Sequence, residues 1–392
     1  MPNEANLLLN SGAKIKVIGV GGAGMNAVHR MMESGVKGVE FVVMNTDQQV
    51  LDMSPVNKKI VIGEKLTRGL GAGGDPEVGK RAAEDSRDEI MKEVQGSDMV
   101  FITAGMGGGT GTGAAPIVAE ISRQLEILTI GVVTKPFIWE GGQRLSKAED
   151  GVKNLKGAVD TLIAIPNSKL SEVCDKKITL KNAFIIADEI LMQGVQGISD
   201  IIVLPGLINV DFADVHSIMK NSGSALMGIG EASGENRAKI AAEAACRSKL
   251  LDASIDGATG VLVNITANDE FSLQEIDDAM TTIHQLTEHS GNNVEIIFGV
   301  VFDNSLGDNV KITVVATGFD QIPTPFKPSV PNRTRSNNNY NSTNNSSNTP
   351  SQPASTTPAT QSTSETPKVP TFSKPTGDFE IPTFITKKKE NK

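Results

Sequence analysis

Residues 99–113 read MVFITAGMGGGTGTG, and the fold follows from how this stretch is understood. Its first six residues are apolar without alternation, the pattern of a strand buried on both faces. The next nine, Gly105–Gly113, hold six glycines and lead into a helix predicted from near Ala114. Ordering so many glycines loses much chain entropy, so something must favour the arrangement. Backbone amides converging on an anion at a helix N-terminus would do so, with Thr110 and Thr112 adding hydroxyl donors. The phosphates of a nucleotide suit such a loop. A merely flexible connection suits it less, because predicted buried elements flank it tightly.

Working outward, similar apolar runs lie at 14–20 (KIKVIGV), 39–46 (VEFVVMNT), 128–134 (LTIGVVT) and 161–166 (TLIAIP). Helical patterns separate them, including 76–95, where Asp75 can cap and Pro76 can occupy the first turn. This alternation predicts a Rossmann-like parallel sheet covered on both faces. A second glycine loop, Gly19-Val-Gly21-Gly22-Ala23-Gly24, follows the first run. It fits a dinucleotide fingerprint, with Asp47 near the place of a ribose-binding acid; alone it would also suit a tight turn without ligand. A third cluster, Gly69-Leu-Gly71-Ala72-Gly73-Gly74, precedes Asp75 and can wrap a terminal phosphate. The overlapping Gly74–Lys80 stretch imitates a P-loop, but Arg81 replaces the Ser/Thr that would hold Mg²⁺, and no strand enters it. Several phosphate loops without a P-loop lysine suit a nucleoside triphosphate better than NAD.

Residues 180–204 form a long helical pattern, apolar around most of its circumference, as expected of a helix buried between two masses. Beyond it, strand-like runs alternate with helices at 235–252 and 273–290. They predict a second, smaller α/β domain whose last two strands, adjacent in sequence, form a hairpin. The expected organisation is a flexible segment 1–13, a nucleotide-binding domain 14–179, the central helix 180–204, the smaller domain 205–320, a disordered linker 321–376 and a tail peptide 377–392. Within the linker, residues 329–368 are Ser, Thr, Asn and Pro with almost nothing apolar. The tail holds Phe379, Ile381, Phe384 and Ile385 before Lys387–Lys389.

The 392 residues are 39% hydrophobic and 21% charged, ordinary for a globular protein. Residues 1–13 lack the pattern of a signal peptide, which gives a cytoplasmic expectation. Cys174 and Cys246 have no metal-ligand spacing. Residues 321–392 carry nine Lys/Arg against four Asp/Glu, leaving 28 against 42 in residues 1–320. An acidic body argues against nucleic acid as the main ligand.

The ordered motifs GVGGAG…N, NTD, GLGAGGDP, GGGTGTG, PNS (166–168) and NVDFADV (209–215) closely resemble the FtsZ family, the tubulin-like GTPases of bacterial cell division. The resemblance runs from about Ala13 to Phe319, and DFEIPTFITKKK resembles the family's partner-binding tail peptide. It implies a protein that binds GTP or GDP, with Mg²⁺, and polymerises head to tail with itself at the division site. Through residues 377–392 it would bind adaptor and membrane-tethering proteins, without inserting into the membrane itself. At matching positions, Gly21, Gly22, Ala23, Gly24, Met25, Asn26, Gly107, Gly108, Gly109, Thr110 and Gly111 would contact phosphates, with Ala72 and Gly73 near the γ-phosphate. Glu140 and Arg144 would contact the ribose region. Asn167, Phe184 and Asp188 would read guanine, whose edge offers a carboxylate two N–H donors that adenine lacks. From spacing alone, Phe184 reads as core and Asp188 as a solvated helix position. Ala23, Met25 and Trp139 depart from the commoner residues of the family.

Asp211 and Asp214 lie three apart at a predicted helix start, hence on one face. Spacing alone favours capping and complementarity to the helix dipole. The resemblance instead makes them catalytic, with Asn209, towards the γ-phosphate held by the next subunit. Two other classes remain open here. One is an NAD-dependent oxidoreductase, against which the additional loop Gly105–Gly113 speaks, because NAD needs only one; the other is a non-catalytic nucleotide-dependent scaffold, against which the Asp211/Asp214 pair speaks.

Overall fold

The first elements in the chain are β1 (Ile15–Val20), α1 (Gly21–Glu33), β2 (Val39–Asn45), α2 (Gln48–Asp52), β3 (Lys58–Val61), α3 (Glu64–Thr67), α4 (Pro76–Asp85) and α5 (Arg87–Val94). There follow β4 (Met99–Gly105), α6 (Thr110–Gln124), β5 (Leu128–Lys135), α7 (Gly142–Ala158), β6 (Thr161–Pro166) and α8 (Asn167–Val173). The computed structural model describes residues 12–173, 179–204, 206–249, 251, 254–255, 257–287 and 294–319. The expectations for the linker 321–376, the tail 377–392 and all but the end of segment 1–13 lie outside the described residues.

Strands β1–β6 run parallel in the order β3-β2-β1-β4-β5-β6, the doubly wound arrangement that the strand–helix alternation predicts. β4 is buried at every position from Met99 to Ala104, as a strand covered on both faces must be. One face packs under α1, through Met25, Ala27, Val28 and Met31. The other packs under α4–α7, through residues such as Ala82, Ile90, Ala115, Val118 and Leu155.

Two helices differ from expectation. The segment 76–95 is broken at Ser86, whose side-chain oxygen accepts the Gly63 N–H at 3.0 Å. A serine hydroxyl drawn to backbone in this way competes with helix continuation. Asp75 does cap, its Oδ1 accepting the Glu77 N–H at 3.0 Å. The glycine-rich helix begins at Thr110 rather than near Ala114, so Gly111 and Gly113 lie inside it. At Gly113 a Cβ would overlap the Pro76 carbonyl oxygen, so this glycine lets α4 and α6 pack closely. Strand β3 (KKIV) escaped the sequence reading, being four residues long with two lysines.

α9 (Leu180–Val203) carries the chain out of the first domain, into α10 (Phe212–Met219), β7 (Gly223–Ala232), α11 (Arg237–Cys246), β8 (Gly260–Ala267), α12 (Leu273–Thr287), β9 (Glu295–Phe302) and β10 (Val310–Thr317). As predicted, α9 is buried between two masses, touching α1 and β5 on one side and β8 and β9 on the other. The sheet continues from β6 into β7, parallel over Thr161–Ile163 against Gly223–Ala225. The expected hairpin of the last two strands does not form. β9 pairs in parallel with β8, while β10 inserts between β7 and β8, antiparallel to both. Burial explains this: β10 is buried along nearly its whole length, whereas β9 is exposed at Glu295 and only half-buried over its next three residues. The better-buried strand takes the centre and β9 the edge.

Candidate nucleotide site and the opposite face

In a 3-2-1-4-5-6 sheet the chain winds outward in both directions from β1 and β4, and ligands bind beyond the carboxyl ends of the strands at that point. Both glycine loops leave from there: Gly21–Gly24 after β1 and Gly105–Gly109 after β4. They touch. Gly21 is left-handed at φ +72°, and a Cβ on it would lie 2.9 Å from the Gly111 nitrogen. Gly107, at φ +98°, donates its N–H to the Thr112 hydroxyl at 2.8 Å. That bond makes the buried Thr112 a brace of the loop from within. Thr110 pairs with the Thr46 hydroxyl at 2.7 Å, and Thr46 is a residue the sequence reading did not single out.

The third glycine cluster closes over the Gly105–Gly109 loop. A Cβ on Gly109 would lie 2.8 Å from the Ala72 methyl and 2.9 Å from the Asp75 nitrogen. Gly22, Gly73 and Gly108 are of another kind, because a Cβ on any of them would meet nothing within 4 Å. Gly22 and Gly108 also lack the left-handed backbone that favours glycine. Neither packing nor backbone strain demands glycine at these two places; close approach of a ligand to the backbone would. Met25 is fully buried, its sulfur accepting from Asn45 Nδ2 at 3.3 Å, so only its backbone can face the loop. Ala23 and Asn26 are exposed. Asp47 caps α2, its Oδ1 accepting the Val50 N–H at 3.3 Å.

Beside the phosphate loops, the turn after β5 is fixed by Glu140. One carboxylate oxygen accepts the Phe137 N–H at 2.9 Å, and the other meets Arg144 Nε at 3.1 Å. The turn brings Phe137 and Trp139 against Phe184 of α9. Phe137 stacks on Trp139 at 5.3 Å and meets Phe184 edge-on at 5.6 Å. Trp139 is 61% and Phe184 42% exposed; so open an aromatic corner leaves its faces available to a planar base. Phe184 is therefore not the core residue that spacing suggested. Asp188, one helical turn further on, has its carboxyl raised by burial from 3.8 to about 6, with Arg30 acting in the opposite direction. Asn167 is buried, and its Oδ1 has no hydrogen-bond partner. The structure thus gathers the glycine loops at one switch point, and Glu140, Arg144, Phe184 and Asp188 around one turn and one helix end.

Asn209, Asp211 and Asp214 are elsewhere. α9 has 24 residues, about 36 Å at roughly 1.5 Å per residue. Its first turns meet the aromatic residues beyond the carboxyl end of β5. Its last residue, Val203, meets Gly38 just before β2 begins, at the amino end of the strands. The chain then continues past Val300, which accepts from Leu207 N–H at 3.0 Å, to α10. All three polar residues are exposed. Asn209 Oδ1 accepts the Gly206 N–H at 2.7 Å. Asp211 sits at the N-cap of α10 without a side-chain capping bond, so the capping expectation fails for it. Asp214 lies in the first turn of the same helix, where its charge complements the dipole.

A doubly wound domain with converging glycine loops, joined by a long buried helix to a smaller mixed domain, defines a class: nucleotide-binding proteins on the tubulin-like plan. Residues 14–175 match the Tubulin/FtsZ family GTPase domain, and residues 223–320 match the FtsZ family C-terminal domain. Among solved structures, an empty FtsZ dimer from M. jannaschii is 46% identical, with a TM-score of 0.76 over 82% of this chain and 93% of that one. CetZ2 from Haloferax volcanii, solved as a GTPγS-bound protofilament, is 22% identical with a TM-score of 0.65, over 77% of this chain and 92% of that one. At that identity the likeness is one of fold.

The chain belongs to the FtsZ family. It is a GTPase of the tubulin-like cytoskeletal class. Among the described residues no helix is long and apolar enough to cross a membrane.

Proposed function

We propose that this GTPase polymerises head to tail into filaments of a bacterial division ring and hydrolyses GTP between subunits. The observation that carries the reading is the separation of the two half-sites. The glycine loops and the Asp211/Asp214 pair lie at opposite ends of α9, so one chain alone cannot bring them together. A second copy stacked on the first can. Its exposed carboxylates then orient and polarise the water that attacks the γ-phosphate, and Asn209 completes the contact. Such a heterologous contact does not close, so it propagates as a filament. The solved relatives include an FtsZ dimer and a CetZ2 protofilament, which supports self-association of this chain.

In this reading Gly21–Asn26 and Gly107–Gly111 hold phosphates, Ala72 and Gly73 lie near the γ-phosphate, Glu140 and Arg144 hold the ribose region, and Asn167, Phe184 and Asp188 read guanine. No group of three or more His, Cys, Asp or Glu among the described residues could hold a metal ion. Mg²⁺ would then arrive on the phosphates with its waters. The domain limits 14–179, 180–204 and 205–320 are kept as functional units, with 377–392 binding adaptors near the membrane at mid-cell. Removing 377–392 is expected to abolish adaptor binding and leave GTPase activity intact; adaptor binding that survives would refute the tail assignment. For the filament, phosphate release is measured alongside light scattering as protein is diluted. Turnover per subunit should rise steeply above a critical concentration. Strict proportionality down to dilute monomer would overturn interfacial hydrolysis, and oxidation or reduction of a nicotinamide seen at 340 nm would overturn the GTPase reading.

A further inference from the structure

The glycine loop next to the γ-phosphate position is tethered from one side in a way the family resemblance does not assign. Gly71 donates to the Thr46 carbonyl at 3.1 Å, and Asp75 donates back to Ala72 at 3.0 Å. Between these bonds lie Gly73 and Gly74, both exposed, where an added Cβ would meet nothing within 4 Å. The packing that holds Ala72 against Gly109 does not reach them. What does reach them is Lys147 of α7, whose Nζ donates to the Gly74 carbonyl at 2.7 Å. That distance is typical of a charge-assisted hydrogen bond.

Lys147 stands one turn beyond Arg144 on the same helix. It therefore connects the segment holding the ribose-side residues to the loop on the γ-phosphate side. The lysine stem is half-buried and lines a cleft of about 380 Å³ with Lys80, Thr112, Gly113 and Asp150. The carbonyl it holds would otherwise face solvent on a loop of glycines, which gains nothing from side-chain packing and is the first to open.

We propose that Lys147 is a positioning residue for GTP, a strap that holds the Gly71–Gly74 loop in the conformation that receives the γ-phosphate. It acts through the loop and not by touching the reacting atoms. This rests on the GTP-binding reading above. Because GDP has no γ-phosphate, loosening the strap weakens GTP and spares GDP.

The test is the affinity of the full chain for each nucleotide, measured by calorimetry below the assembly concentration, in wild type, Lys147→Met and Lys147→Arg. Methionine keeps the apolar stem but removes the donor; arginine restores a donor. Methionine is expected to weaken GTP about three- to tenfold, the range of one hydrogen bond, with GDP affinity unchanged and arginine recovering most of the loss. Equal loss for GTP and GDP, or no loss for either, would overturn the strap while leaving the GTPase reading intact. Failure of the wild-type chain to bind either nucleotide would overturn that reading and the strap with it.

Discussion

The two ends of α9 are built on opposite principles. At the nucleotide end, backbone meets backbone: Gly21 lies on Gly111, Gly109 on Ala72 and Asp75, and Gly113 on Pro76. At the far end, Asn209, Asp211 and Asp214 are exposed, and Asp211 is left without a capping bond. One end is a set of close backbone contacts among glycine loops. The other has carboxylates and nothing to act on. In the proposed reading a site so divided is completed when two copies meet, and the contact that assembles them would also activate hydrolysis.

The largest test of this division is Asp214→Ala. It removes a group expected to act on the attacking water, so turnover per assembled subunit should fall about a hundredfold or more. GTP affinity should stay the same, because the residue lies far from the chain's own glycine loops. Phosphate release and equilibrium binding on one preparation decide the matter, and a parallel loss of binding would break the comparison.

Gly113→Ala attacks the other end. Its Cβ would overlap the Pro76 carbonyl, so α4 and α6 must separate, at a stability cost of about 1–3 kcal/mol. A urea unfolding midpoint unchanged from wild type would show that the helices tolerate the methyl group. Gly113→Ala is expected to lower stability first and nucleotide affinity as a consequence.

A smaller effect concerns pH. Burial raises the Asp188 carboxyl from 3.8 to about 6, so the folded state holds its proton more tightly than the unfolded chain. From this group alone, stability therefore rises as pH falls from about 6 towards 3.8. If Asp188 reads guanine as proposed, recognition moves the other way, because only the carboxylate accepts two N–H bonds. One unit below its pKa a carboxyl is about one-tenth ionised, so GTP affinity should fall about tenfold by pH 5. Asp188→Asn should flatten that profile, and an equally steep one in the variant would sink the assignment.

The mildest change separates ligand glycines from packing glycines. Gly22→Ala meets nothing within 4 Å and sits in α1. Stability should hold or rise by up to about 1 kcal/mol, the usual gain of Ala over Gly in a helix. GTP affinity should still fall a few-fold, since a methyl group stands where the ligand approaches. Thermal melts with and without nucleotide measure both effects.

Much of this was legible in the chain because it depends on local pattern. Unalternated runs such as MVFITA make doubly buried strands, glycine clusters make loops close to backbone or ligand, and the Asp75-Pro76 pair starts a helix. The break at Ser86 was not legible, because it needs Gly63, distant in sequence, to supply the N–H. The placement of β10 between β7 and β8 was hidden as well. Adjacency in the sequence favours a hairpin, and only the competition of β9 and β10 for a central position excludes it. Phe184 and Asp188 looked ordinary by periodicity; only the folded chain brings Phe137 and Trp139 against Phe184 and buries the Asp188 carboxyl enough to raise its pKa. No spacing foretold that Lys147 would reach the Gly74 carbonyl.

By itself, then, the sequence determined the alternating architecture, the phosphate-binding character of its loops and, through the ordered motifs, the family. Those properties reside in short segments, where residue type and spacing suffice. The tertiary structure decided which glycines serve packing and which stand open, how the last strands are ordered, and that the glycine loops and the Asp211/Asp214 pair lie at opposite ends of one helix. Each of these depends on which distant backbone atoms come within a few ångströms of one another, a distance that the chain acquires only on folding.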